Sequence, residues 1–364
     1  MTLTKLGLSV CLVSIILGNS SYAQIDSLDI KIGQMLMVGV NEQRLDSEAL
    51  ILDEIAKSKV GGVILFEKNI TQGNSYINLK QLNTSLQSSA SIPLFIAIDQ
   101  EGGTVNRLKE KYHFPKSVTQ EYLGKLDNED STRFYGEITA STLAGLGFNV
   151  NFAPVVDMAV NPNNPIIAKY GRAFSDSANQ VVKHASILVE AHRKFGVVTV
   201  LKHFPGHGSS LADTHLGIAD VTTYWKEREI TPYKNMIASG EVDAIMTAHI
   251  VNKRLDKEGL PSTLSKTVIT NVLRNDLNYN GVVFTDDLQM HAITKHFGLE
   301  KTIELAINAG VDVMLFSNNI QGSEERTIDT VHSIIKKLVA ENRVPISRIE
   351  ESYRRILKLK AERL

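Results

Sequence analysis

Short apolar runs recur along this chain, and each is followed by a stretch with helical spacing. The runs are Met35–Val40, Gly62–Phe66, Leu94–Asp99, Val150–Val156, Val197–His203, Ala244–His249, Val282–Asp286 and Val313–Ser317. Within them the apolar residues are continuous rather than alternating, the pattern of parallel strands buried on both faces. Helical periodicity marks Ser47–Ser58, Tyr76–Ser89, Ser131–Gly145, Asn179–Phe195, Trp225–Ala238, Ser265–Leu277, Leu299–Ala309 and Glu324–Glu341. Strand alternating with helix predicts a parallel sheet, and eight units in succession predict closure into a single-domain α/β fold, a (β/α)8 TIM-type barrel. A doubly wound open sheet is the alternative architecture. The last segment, Ile346–Leu364, reads as an added amphipathic helix covering the bottom or side.

Composition fits an ordinary globular chain: 364 residues, 43% hydrophobic and 22% charged, with a formal net charge of -1. That balance lacks the basic footprint of a nucleic-acid binder, so no nucleic-acid partner is expected. At the N-terminus Lys5 precedes an apolar run, Leu6–Leu17, and Ser21-Tyr22-Ala23 stands before Gln24. This is the pattern of a cleaved export signal over residues 1–23, leaving 24–364 as the barrel domain. The run is short for a membrane span, which needs about 20 apolar residues, so no stable membrane insertion is expected after cleavage. Export to the periplasm or medium follows. The single cysteine, Cys11, lies inside that signal, so the mature chain is expected to carry no thiol chemistry.

In a barrel of this type the active site lies at the C-terminal ends of the strands, so the polar residues closing each run are the candidates. The third run closes on Asp99, followed by Gln100-Glu101-Gly102-Gly103 and Arg107. The fifth closes on Lys202-His203, the sixth on His249, the seventh on Thr285-Asp286-Asp287 and the eighth on Ser317-Asn318-Asn319. A lone Asp or Asn there caps a helix; ionisable groups at several ends place charge where a ligand can offset its desolvation. Asp287 is able to cap the following helix, leaving Asp286 to face the barrel mouth as a nucleophile or base. The Gly-, Ser- and Pro-rich stretch from Phe204 to His215 reads as a mobile loop. In extended backbone Asp213 and His215 point the same way, so the carboxylate can orient the ring as a general acid/base. The histidines and aspartate of this stretch also raise a metal reading. Their intervals do not match a two-histidine zinc helix, and Lys202 would oppose a cation, so no metal is expected.

These segments resemble glycoside hydrolase family 3, and within it the single-domain β-N-acetylglucosaminidase (β-hexosaminidase) branch. The resemblance is carried by Ala97-Ile98-Asp99-Gln100-Glu101-Gly102-Gly103 with Asn106-Arg107, Phe152-Ala153-Pro154-Val155-Val156-Asp157 and Gly171-Arg172-Ala173-Phe174-Ser175. It continues through Lys202-His203-Phe204-Pro205-Gly206-His207-Gly208, Asp213-Thr214-His215 and Phe284-Thr285-Asp286-Asp287-Leu288. The resemblance implies a retaining, exo-acting hydrolysis of terminal N-acetylglucosamine from glycans. Asp286 would be the nucleophile and His215 the acid/base supported by Asp213. Asp99, Arg107, Arg172, Lys202 and His203 would bind the sugar. For Arg107 and Arg172 the bland alternative is a surface ion pair, and for His203 a rim histidine with its hydrogen bonds met. His249 and Met290 are secondary pocket members, whereas His207 and Asp287 read as structural.

No cofactor is implied, the expected partner is a small glycan, and a monomer is expected. Three rivals remain: a β-glucosidase of the same family, a catalytically inactive carbohydrate-binding protein, and a phosphorylase. The Asp213-Thr214-His215 loop argues against the first and the pairing of Asp286 with His215 against the second, while the third stays open.

Overall fold

The computed structural model describes residues 27–214, 217–321 and 327–364. The expected export signal and His215 lie outside the described residues. Eight parallel strands form the centre: β1 (Leu36–Gly39), β2 (Gly62–Leu65), β3 (Phe95–Ile98), β4 (Val150–Asn151), β5 (Val198–Phe204), β6 (Ala244–Thr247), β7 (Val282–Phe284) and β8 (Met314–Phe316). From β2 to β7 each strand pairs with its predecessor in sequence, and β8 pairs with β1, so the sheet order is β8-β1-β2-β3-β4-β5-β6-β7. A parallel bridge between Phe284 and Val313 joins the two ends of that order, which closes the barrel. Helices follow the strands around the outside, among them Leu50–Ala56, Ser75–Ser88, Glu129–Leu146, Ala178–Lys194, Thr231–Ser239 and Leu299–Ala309.

The eight apolar runs each hold a strand, and the reason is burial: β2, β3, β5, β6, β7 and β8 have no exposed position. Side chains fill the interior as in other barrels of this kind. Phe284 packs edge-on against Phe152 at 5.7 Å between ring centroids and lies 5.9 Å from Phe95.

Two elements depart from the sequence pattern. The fourth run was expected to be extended through Val156, but β4 stops at Asn151. The chain then passes a cis Ala153–Pro154 peptide, and Val155 rejoins the sheet by a bridge to Lys202. This irregular rim delivers Asp157 beside the end of β5. The helix expected from Trp225 starts at Thr231, with Pro232 in its first turn, where the missing N–H costs nothing. Trp225 instead sits buried in a small cluster with Ala219, Val221, Ala248 and Ile250.

The floor of the barrel is covered by the final helix, Ile346–Arg363. Its Lys360 reaches beneath the strands, donating to Gln34 Oε1 at 2.7 Å and to the Gly61 carbonyl at 2.9 Å, with the ammonium 4.5 Å from the Phe95 ring centroid. Among the described residues no helix is long and apolar enough to cross a membrane.

Candidate active site

A cavity of about 340 Å³ opens at the C-terminal ends of the strands, and its lining includes Asp99, Arg107, Arg172, Lys202, His203 and Asp286. Six of the eight residues singled out from the sequence therefore meet in one place, although they come from four different parts of the chain. Asp213 is half-buried and does not line the cavity, but its neighbour Thr214 does.

The walls are built around a chain of alternating charges. Lys202, at the end of β5, donates to Asp99 at 2.8 Å and to Glu101 at 2.6 Å. Arg172 grips Glu101 with Nε and Nη2, both at 2.8 Å, and donates Nη1 to the Ile166 carbonyl at 3.0 Å. Arg107 closes the other end, 3.4 Å from Asp99 and stacked 5.8 Å from the Phe66 ring centroid. Its Nε is buried without a hydrogen-bond partner. Burial alone would neutralise these groups. For Lys202, burial is outweighed by Asp99 and Glu101, which hold the ammonium above its ordinary value. For Asp99, burial is outweighed by Lys202 and Arg107, and for Glu101 by Arg172 and Lys202, so both carboxyls stay well below the usual range. The cluster is thus charged and pre-oriented, with its donors and acceptors aimed along the cavity wall.

Neither Glu101 nor Asp157 stood out as a site residue in the sequence. Asp157 directly follows the fourth apolar run, so the rule used for the other strand ends would have found it. Its Oδ2 meets His203 Nδ1 at 2.7 Å, and its Oδ1 accepts from the backbone N–H groups of His207 at 2.7 Å and His203 at 3.3 Å. Burial opposes that charge, and the His203 ring and the His207 N–H keep the carboxyl low. The Nε2 of His203 lies 3.3 Å from Arg172 Nη2, which ties the ring to the charged chain.

Asp286 is half-buried just past β7, and its Oδ1 accepts the Asp287 N–H at 2.8 Å. Asp287 accepts from the Ser317 hydroxyl and backbone N–H and from Gln289 N, which fixes the turn after β7 instead of capping a helix. Burial pushes the Asp287 carboxyl up to about 6, with Ser317 partly offsetting it. His249 supports the same turn: Nε2 contacts the Asp287 carbonyl at 2.9 Å and Nδ1 contacts Thr263 Oγ1 at 2.8 Å. Met290 lines the cavity as expected.

The segment after β5 differs from the mobile loop that its composition suggested. Residues 205–210 are all buried, and only Leu211 and Ala212 are exposed before Asp213. Gly206 adopts φ +115, and a Cβ there would lie 2.7 Å from the Glu229 Cβ; one at Gly208 would lie 1.8 Å from the Met158 carbonyl oxygen. These glycines serve close packing. Asn164 donates to the carbonyls of His207 at 2.8 Å and Gly208 at 3.0 Å, and His207 Nδ1 lies 2.6 Å from Ser210 Oγ. His207 lines the cavity but its ring is held from behind, and burial pushes its pKa down to about 4. Among the described residues no group of three His, Cys, Asp or Glu side chains is arranged to hold a metal ion.

Residues 27–359 match the glycosyl hydrolase family 3 N terminal domain. The chain is 33% identical over 333 residues to a beta-hexosaminidase A from Pseudoalteromonas piscicida, covering 85% of this chain and 54% of that protein. It is 34% identical over 293 residues to a beta-hexosaminidase from Tolumonas auensis, covering 79% and 84% respectively. The solved structure of a glycoside hydrolase family 3 beta-N-acetylglucosaminidase from a Paenibacillus species superposes with a TM-score of 0.84 at 34% identity, covering 93% of this chain and 62% of that one. The chain therefore spans about half the length of the first relative and most of the second.

Proposed function

Because this chain belongs to glycosyl hydrolase family 3, we propose that it is a retaining, exo-acting β-N-acetylhexosaminidase that removes terminal N-acetylglucosamine from glycans such as peptidoglycan fragments or chitin oligomers. The observation that carries the reading is the juxtaposition of Asp286 with the charged chain Arg107–Asp99–Lys202–Glu101–Arg172 around one cavity. The charged chain and His203 hold the sugar by its hydroxyl and acetamido groups. Held there, the anomeric carbon meets the Asp286 carboxylate.

The reaction runs in two displacements. Asp286 attacks the anomeric carbon as the glycosidic C–O bond breaks, and protonated His215 gives its proton to the departing oxygen. Positive charge building on the ring is met by the carboxylate. His215, now neutral, takes a proton from water, whose oxygen attacks the anomeric carbon and frees Asp286. Two inversions leave the sugar with its original β configuration. Asp213 positions His215 and stabilises its charged form. A histidine in this role places no second negative charge beside the nucleophile. We further propose that the enzyme acts outside the cytoplasm, on the strength of Lys5 and the Leu6–Leu17 run, and works as a monomer.

The test is the anomeric form of the first product by proton NMR, with Asp286→Ala as the paired variant. Retention is expected in the wild type. The variant should fold normally and lose at least about 1,000-fold in kcat, since removing a covalent nucleophile leaves only binding and electrostatic contributions. An inverted product, or wild-type turnover in Asp286→Ala, contradicts the assignment.

A further inference from the structure

Asp157 has no solvent exposure, and its two carboxylate oxygens meet different partners. Oδ1 faces two backbone donors, the His203 N–H at 3.3 Å and the His207 N–H at 2.7 Å. Oδ2 faces one ring nitrogen, His203 Nδ1 at 2.7 Å. The carboxyl is held low and so is ionised, and a carboxylate only accepts, so Nδ1 carries a proton. On the far side of the ring, Nε2 meets Arg172 Nη2 at 3.3 Å. A guanidinium only donates, so Nε2 is the acceptor and carries no proton. The two neighbours together select one tautomer of His203.

From this geometry we infer that Asp157 is a positioning residue for sugar recognition: it holds the His203 proton on Nδ1, which leaves Nε2 to draw Arg172 into line. The inference rests on the proposed sugar-binding roles of His203 and Arg172. An arginine side chain has five N–H donors. In Arg172, Nε and one Nη2 N–H go to Glu101, the second Nη2 N–H to His203 and one Nη1 N–H to the Ile166 carbonyl. The fork is therefore gripped by three partners, and the second Nη1 N–H is left to a ligand acceptor. With a proton on Nε2 instead, two N–H donors would point at each other and the fork would turn from the ring. The His207 ring stands edge-on to His203 at 5.9 Å, and its Nδ1 contacts Ser210 Oγ, so that ring does not compete for the Asp157 carboxylate.

Asp157→Asn isolates this role, because the two oxygens are not equivalent. The backbone N–H groups of His203 and His207 need an acceptor at the Oδ1 position, so they fix the amide oxygen there. The amide NH2 then takes the Oδ2 position and donates to His203 Nδ1. The ring proton moves to Nε2, against the Arg172 N–H. The backbone contacts that shape the turn survive, and the tautomer changes. An Asp→Asn change beside a triad histidine acts in the same way: the geometry stays intact and the wrong tautomer slows the reaction.

The experiment pairs steady-state kinetics on a chromogenic β-N-acetylglucosaminide with nitrogen NMR of ring-labelled histidine, the His203 signals being those missing from His203→Ala. Wild type should show His203 protonated at Nδ1 and bare at Nε2, and Asp157→Asn the reverse. Asp157→Asn should lower kcat/KM about 100-fold, the scale of a small misplacement of a group that orients substrate. In a His203→Ala background the same change should cost at most about threefold, because its effect runs through the ring. Wild-type kcat/KM in a folded Asp157→Asn, or an equal loss in both backgrounds, overturns the inference. Should Asp157→Asn not fold, the wild-type spectrum decides, and a His203 proton on Nε2 overturns the inference. A wild type with no turnover of the substrate refutes the proposed function, while the two spectra still decide which tautomer Asp157 sets.

Discussion

The two ends of the barrel bury charge in different ways. At the mouth, Lys202, Arg172 and Arg107 alternate with Asp99 and Glu101 along the wall of an open cavity, and Arg107 keeps one buried N–H unmet. At the floor, Asp312 has no exposure and is enclosed by Arg274 at 2.6 Å, Arg348 at 2.8 Å and Arg355 at 3.3 Å, with the Ser352 hydroxyl at 2.7 Å. Burial opposes the Asp312 charge, and the arginines outweigh it and hold the carboxyl low. Both networks shift pKa values, yet only one lies beside a cavity and a half-buried carboxylate with room to react. Perturbed ionisation therefore marks both a lock and a site. Open volume tells them apart, since a buried arginine Nε without a partner occurs in both, on Arg107 at the mouth and on Arg274 at the floor.

The sharpest way to break this contrast is to remove one charge from each network. Lys202→Met leaves two carboxylates facing the cavity without their shared cation, and an uncompensated buried charge costs about 3–5 kcal/mol. The expected result is a fall in kcat/KM of about 100- to 1,000-fold on the N-acetylglucosaminide. Equal rates for the variant and wild type would reduce the mouth network to a structural one. Asp312→Asn at the floor should lower unfolding free energy by about 3 kcal/mol in chemical denaturation, since Arg274 loses its counter-charge and Arg348 and Arg355 are left with Glu351 alone. Its kcat per folded molecule should stay within about twofold of wild type. A large loss of kcat at unchanged stability would erase the distinction between the two ends.

A smaller effect comes from Lys360 at the floor, a buried ammonium that has carbonyl acceptors rather than a carboxylate. Burial pushes it down to about 7. Below that value the folded and unfolded chains both hold the proton, and the full cost of burying the charge falls on the fold. Between about 7 and the unperturbed value of about 10.4 the unfolded chain alone binds it, so stability rises with pH by at most about 1.4 kcal/mol per unit from this group. Denaturation at pH 6.5 and 9 should show that gain in wild type and its absence in Lys360→Met. A parallel gain in both would assign the pH dependence elsewhere.

Much of the architecture was legible because burial writes itself into continuous apolar runs: each of the eight holds a strand, with ends displaced by a few residues. The main departure, at β4, falls at Pro154, which has no N–H to give to a strand ladder, and Val155 then rejoins the sheet. The site was legible where a polar residue ends a run, as for Asp99, Lys202 and Asp286. The pairing of residues distant in sequence was not legible. Glu101 reaches Arg172 across 71 positions and Asp157 reaches His203 across 46, and such pairings are settled only by closure of the barrel. The Gly206–Ser210 stretch misled for a related reason. Glycine permits both freedom and close approach, and only Glu229 against Gly206 and Met158 against Gly208 show which one applies.

The central claim is that the mouth of this barrel recognises and hydrolyses a terminal N-acetylglucosaminide. Initial rates on matched chromogenic β-N-acetylglucosaminide and β-glucoside substrates, with chelator and with phosphate as controls, test it most directly. The account predicts a strong preference for the N-acetyl sugar that neither chelator nor phosphate changes. Preference for the glucoside would make this a β-glucosidase, acceleration by phosphate would make it a phosphorylase, and turnover of neither sugar would contradict the catalytic reading altogether.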